Sequence, residues 1–200
     1  MPLRSTVLRS LAASASLLPA TLAAQSLRPS GTGFSLSAAA SLAQVTTDLA
    51  GRDASSGSAT WRADVQYGVT PRLALVGALS VRASAQAGDA LAVRSVDLGV
   101  RYLARAGAAV RPFAEAGFGV RRFSTNTVGG VEVSAQNTGP WAAAGVLALV
   151  QGHWAVEGAA TYGAVRFENW RAGGVAPVLQ PVNYREVGAR LGVRYFVRVR

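Results

Sequence analysis

One histidine, His153, and no cysteine stand among the 200 residues. A nitrogen–sulfur metal centre has no ligand set to draw on, and a disulfide framework is excluded. His153 sits in Gln151-Gly152-His153-Trp154, and as a catalytic base it would need a nucleophile within hydrogen-bond reach. What the chain does carry is charge of one kind. Its twenty cations are all arginine, set against ten carboxylates, for a net charge of +10. Guanidinium groups grip carboxylates and phosphates in bidentate fashion, which lysine does not match. The chemistry open to this chain is therefore ion pairing, either internal or with an anionic partner.

The charged residues fall in a period of two. From 187 to 199 the odd positions read Val, Ala, Leu, Val, Tyr, Val and Val, while the even positions from 186 to 200 read Glu, Gly, Arg, Gly, Arg, Phe, Arg and Arg. A helix would spread those arginines around its circumference; a strand puts them on one face. The alternation recurs in Trp61–Tyr67, Ser95–Leu103 and Trp154–Tyr162. The Ala-rich run Trp141–Val150 has ten residues. That is ~15 Å as a helix but ~33 Å as a strand, and ten residues is the length of a tilted transmembrane strand.

Eight strands follow, over about 33–47, 58–68, 72–83, 93–105, 112–124, 140–150, 154–167 and 184–200. Val69–Pro71, Ala106–Arg111 and Gln151–His153 are short connections. Asp48–Gly57, Ser84–Ala92, Asn126–Gly139 and Glu168–Asn183 are long and polar or glycine-rich. Short turns at one end and long loops at the other mark a bacterial transmembrane barrel, with the turns and both termini in the periplasm. A soluble sandwich would point the apolar face inward instead, and alternation alone does not separate the two. Strand length, the loop asymmetry and aromatic placement favour the barrel. Tyr67, Tyr102, Trp154 and Tyr195 are expected at periplasmic strand ends, and Trp61 and Trp141 at extracellular ends, as interfacial girdles. The fold class is thus all-β: a closed, antiparallel, eight-stranded up-and-down transmembrane β-barrel.

The first 24 residues stand apart. Arg4 and Arg9 precede the uncharged Leu11–Ala24, the order of a cleaved secretory signal peptide. Residues 25–200 then form the barrel domain. An exported chain with scattered arginines is not expected to meet nucleic acid.

The units DVQYGVTPRLALVGALSV and VDLGVRYLARAGAAVRPFAEAGFGVRRF, with LGVRYF in the last strand, resemble the small eight-stranded outer-membrane proteins of the OmpA/OmpX/OmpW kind. The resemblance implies the cell outer membrane, delivery by the outer-membrane assembly machinery, and a structural or interaction role carried by variable extracellular loops. The alternative it implies is a narrow pore or an OmpW-like conduit for small or hydrophobic molecules. Such proteins usually end on an aromatic residue, whereas this chain continues beyond Phe196 as Val197-Arg198-Val199-Arg200. Barrel enzymes of this kind use a His–Ser pair, and no serine falls near His153, which reads as a turn residue. No catalytic, cofactor or metal site is expected, and the protein is expected to be a monomer.

Two sets of residues remain as candidates. Arg62, Asp64, Gln66, Arg82, Asp97, Arg101, Glu115, Arg121, Glu157, Glu186, Arg190 and Arg194 carry the polar parity and are expected in the lumen. An eight-stranded barrel is only wide enough to be filled by side chains, so these charges must pair. Arg101 and Arg190 are expected to hold Asp97, Glu115 and Glu157. Arg94, Arg122, Arg166 and Arg185 carry the apolar, outward parity at the extracellular ends of their strands. There Arg costs only ~0–1 kcal/mol, and the four are expected to form a lipopolysaccharide-contact rim, Arg94 near Arg122 and Arg166 near Arg185.

Overall fold

The computed structural model describes residues 32–49, 52–86, 89–126, 131–173 and 180–197. The expected signal peptide, with Arg4 and Arg9, and the terminal Arg198, Val199 and Arg200 lie outside the described residues. The strands are β1 Gly33–Leu49, β2 Arg52–Gly68, β3 Leu73–Gln86, β4 Asp89–Leu103, β5 Val110–Asn126, β6 Glu132–Gln151, β7 Trp154–Phe167, a two-residue β8 Arg171–Ala172, and β9 Val182–Phe196. All pairings are antiparallel, and the β5–β6 and β1–β9 ladders close β1–β7 and β9 into a ring of eight.

Register fixes the shape of the ring. Gln66 faces Val76, then Gly99, Gly117, Trp141, Gly163, Glu186, Val45 and finally Ser56. One circuit thus returns to β2 ten residues from its start. With eight strands about 4.8 Å apart and a rise of about 3.3 Å per residue, that stagger tilts the strands by about 40°.

The strands form because their two faces need different surroundings. Outward runs such as Phe34–Leu42, Ala59–Tyr67, Leu73–Val81, Val110–Val120 and Val187–Tyr195 carry only apolar, aromatic or glycine residues on alternate positions. These runs are nine to eleven residues long; in β4 the run is seven, ended by Arg94. Leu42, Trp61, Leu98 and Leu191 are each about two-thirds or more exposed. A belt of that kind is an aggregation surface in water and is matched by hydrocarbon.

Three of the four expected long loops are instead extensions of the strands. β1 and β2 pair out to Leu49 and Arg52, β3 and β4 to Gln86 and Asp89, and β5 and β6 to Asn126 and Glu132. Polar residues replace apolar ones there, but the ladder continues, since pairing depends on backbone groups and not on apolar side chains. Among the described residues, the fourth connection alone leaves the ladder and re-pairs elsewhere. After Phe167 the chain breaks at Glu168–Trp170, with Asn169 at φ +55°, and then re-pairs as β8 on Val133 and Ser134 of β6. The short turns are tight: Thr70 Oγ1 accepts from the Arg72 and Leu73 amides, and Gly152 takes φ +54° beside His153.

Two further boundaries differ from the sequence expectation. β9 ends at Phe196 rather than 200, and β5 starts at Val110, which turns Arg111 into a buried residue rather than part of a turn. Trp141 also differs. It lies in mid-strand on the inward parity of β6 and is 6% exposed, so it belongs to the interior and not to an outer girdle. Gly99 makes room for it, while Gly117 lies close against the backbone of Leu98 and Gly99. A Cβ on Gly99 would strike both the Trp141 ring and the backbone of Ala116. Gly99→Val should therefore cost about 1–3 kcal/mol by overpacking, read from urea unfolding in lipid vesicles. Gly57→Val should be near neutral, since nothing lies within 4 Å of a Cβ at Gly57.

Candidate functional site

Strand parity brings the twelve lumen candidates into one interior. Glu157 is fully buried and lies at the centre of the largest cluster. Arg101 Nη1 donates to its Oε2 at 2.9 Å, Arg194 Nε donates to the same oxygen at 3.1 Å, and Arg190 Nη2 approaches Oε1 at 3.5 Å. Glu115 takes Arg101 on one oxygen and Arg190 Nη2 on the other at 2.9 Å. Asp64 takes Arg194 Nη2 at 2.8 Å and the Ser37 hydroxyl. Arg194 also donates to Ser35 and Ser37. Three guanidinium groups from β4 and β9 thus meet three carboxylates from β2, β5 and β7.

Two separate pairs lie above this cluster, toward the long hairpins. Arg62 donates to Asp97 at 2.7 Å, and Arg82 pairs with Glu186 and donates to Thr60. Asp97 therefore belongs to Arg62 rather than to Arg101 or Arg190. The reason is register: Asp97 stands four positions, about 13 Å, from Arg101 along β4. Gln66 is buried with the rest. Arg121 is 4% exposed and makes no ion pair among the described residues.

Apolar clusters close both ends of this charged layer. At the hairpin end Val45, Ala135, Val165, Phe167, Trp170, Val182 and Tyr184 pack together, with Phe123 edge-on to Trp170 at 5.4 Å. The break after β7 is what turns Trp170 into the barrel mouth. At the turn end Leu103, Phe113, Leu147 and Ala155 pack with Phe196, and Arg101 lies over the Phe113 ring at 4.2 Å. Sequence reasoning missed both clusters, together with Trp141 and Arg111. A signal was present, because Phe113, Phe123, Phe167 and Tyr184 all carry inward parity.

The four outward arginines are all exposed. Arg94 stands directly opposite Arg122, while Arg166 and Arg185 are diagonal neighbours across β7 and β9. Arg94 and Arg122 do not lie at strand ends as expected: both strands run on beyond them, and they mark the upper edge of the apolar belt. Arg122 lies 3.7 Å from Glu132, and Arg166 2.7 Å from Glu168, in exposed pairs. His153 is half-buried in its turn, its ring 5.9 Å from that of Tyr195. Among the described residues no group of His, Cys, Asp or Glu is placed to hold a metal ion.

An apolar outer belt, a charged filled interior, short turns at one end and long hairpins at the other define a transmembrane barrel of the outer-membrane type. The chain belongs to the outer membrane protein β-barrel domain family, whose model matches residues 10–195. Its place is the bacterial outer membrane. Among solved structures it is similar to neisserial surface protein A, with a TM-score of 0.67 and 18% identity over 82% of this chain and 97% of that one. It is also similar to Ail of Yersinia pestis, with a TM-score of 0.48 and 13% identity over 82% and 100% of the two chains. OprG of Pseudomonas aeruginosa matches with a TM-score of 0.48 and 11% identity over 84% and 97%. Likeness at these identities is likeness of fold. No protein of curated function matches the sequence.

Removing one member of the Glu157 cluster strands its partners in a dry interior. Glu157→Gln or Arg101→Met should lower the unfolding free energy by about 3–5 kcal/mol, read as a shift of the urea midpoint in vesicles. Arg122→Gln, at an exposed pair, should cost less than about 1 kcal/mol. An unmoved midpoint in Glu157→Gln would show that the cluster does not hold the interior together.

Proposed function

We propose that this protein is a non-enzymatic outer-membrane barrel that works through its outer surface and not through its lumen. It reaches the membrane behind a cleaved signal peptide, through the assembly machinery, and stands there as a monomer. The observation that carries this reading is the interior: an ion-paired layer with an apolar cluster at each end. A narrow pore, or a conduit for small or hydrophobic molecules, needs a continuous path, and these three layers lie across it. The hairpins that extend the strands past the apolar belt are then the parts available to partners.

The arginine rim is the second element of the proposal. Like charges directly opposite one another on a sheet face are destabilising, and Arg94 and Arg122 are so placed. An anion between them removes the penalty, and lipopolysaccharide phosphates occupy this level of the outer leaflet. Arg122 also lines a polar cleft of about 360 Å³ with Arg171, Gln136 and Ser134. Its glutamate partner is exposed and exchangeable at little cost.

Purified protein in planar bilayers should give no resolved conductance steps; nanosiemens steps would overturn the closed-lumen reading. Replacing Arg94, Arg122, Arg166 and Arg185 with Gln should cut co-purified lipopolysaccharide several-fold and lower thermal stability in bilayers that contain it. If lipid retention and stability both stay as they were, these arginines are ordinary solvated residues.

A further inference from the structure

Every interior carboxylate described above already has a guanidinium partner: Glu157, Glu115 and Asp64 in the central cluster, Asp97 on Arg62, and Glu186 on Arg82. Arg121 forms no ion pair among the described residues and acts on Glu186 only at longer range. Its guanidinium lies against Gly163, where a Cβ would strike it. Glu186 borders the same glycine but is held by Arg82 and Tyr184. A buried charge with no ion pair of its own costs several kcal/mol, and arginine does not escape by losing its proton.

Arg121 lines an interior cavity of about 50 Å³, together with Arg62, Arg82, Arg190, Trp141, Asp97 and Glu186. The unpartnered polar atoms on these residues are mostly donors. They are Arg121 Nη1, Arg62 Nε and Nη2, Arg190 Nε and Trp141 Nε1. One acceptor, Asp97 Oδ1, is also unpartnered and is shielded against Gly119. Four cations and an indole N–H therefore surround a space that only two carboxylates border. The volume exceeds the roughly 10–15 Å³ that one water needs, so the space admits a small ion.

We propose that this cavity is a binding site for one small monovalent anion of the halide class, with Arg121 as its counter-charge. Arg62 and Trp141 supply the remaining donors, and the Arg62 guanidinium is held over the Trp141 ring at 4.9 Å. The anion makes the interior electrically neutral around Arg121, and so it acts as a structural part of the barrel. It enters past Arg82 and Glu186, whose side chains keep 8% and 14% exposure.

The test uses the barrel refolded in detergent. Replacing gluconate with bromide at constant ionic strength should raise Tm by several degrees, in proportion to the logarithm of bromide concentration once the site fills. Crystals grown in bromide should show one anomalous peak between Arg121, Arg62 and Trp141. Arg121→Gln should abolish both the peak and the Tm dependence while keeping the heat-modifiable gel shift of the folded barrel. If Arg121→Gln fails to fold, Trp141→Phe, which removes one donor and keeps the charge, should weaken the bromide dependence. Equal Tm in bromide and gluconate with no peak would mean that water alone fills the cavity. A peak that persists in Arg121→Gln would mean that Arg121 does not hold the ion. Either result overturns the proposal.

Discussion

Glu157 has no exposed surface and touches three guanidinium groups. That single carboxylate shows what the closed ring demands of its interior. Eight strands with this stagger leave a lumen only as wide as side chains can fill, and little water remains to solvate a charge. The apolar face is already committed to lipid, so the interior takes the polar face of every strand. Its charges are tolerable only as a mutually neutralising set. The positions of Arg101, Arg190, Arg194, Glu115 and Asp64 follow from that requirement.

The same requirement explains the layering along the barrel axis. Ion pairs gain most where water is scarce, and the two apolar clusters keep it scarce. Trp170 and Phe167 cover one end, Phe113 and Leu147 the other. Glycines serve this arrangement locally. In the row Gly99, Gly117, Trp141, Gly163, Gly99 seats the indole, Gly163 seats the Arg121 guanidinium, and Gly117 lets β4 and β5 approach closely.

Much of this was legible in the alternation of residues. Period two separates the lipid face from the lumen face, and it assigned all twelve polar lumen candidates to the interior. Pairing partners were less legible, because they depend on stagger. Asp97 was expected on Arg101 and lies on Arg62, a matter of which layer each strand's tilt delivers. Trp141 shows the limit of reasoning from residue type: tryptophan favours membrane interfaces, but its parity and the glycines opposite it take it inside. The extent of the extracellular hairpins was hidden for another reason. Above the belt, side chains no longer need lipid, so the hydrophobic signal ends while the backbone ladder continues. Trp170 lies outside any periodic segment, and the chain break that turns it inward has no signature in alternation.

Arg194 belongs to β9, yet besides Glu157 of β7 its partners are Ser35 and Ser37 of β1 and Asp64 of β2, 130 to 159 residues earlier. These contacts form only when β9 meets β1. Until then Arg194 has only Glu157 of β7, and Asp64 has only the Ser37 hydroxyl. Closing the ring at this seam therefore joins charges as well as backbone groups. The closing strand is a clasp: parting it from β1 takes the guanidinium off Asp64 as well as breaking a ladder of backbone bonds.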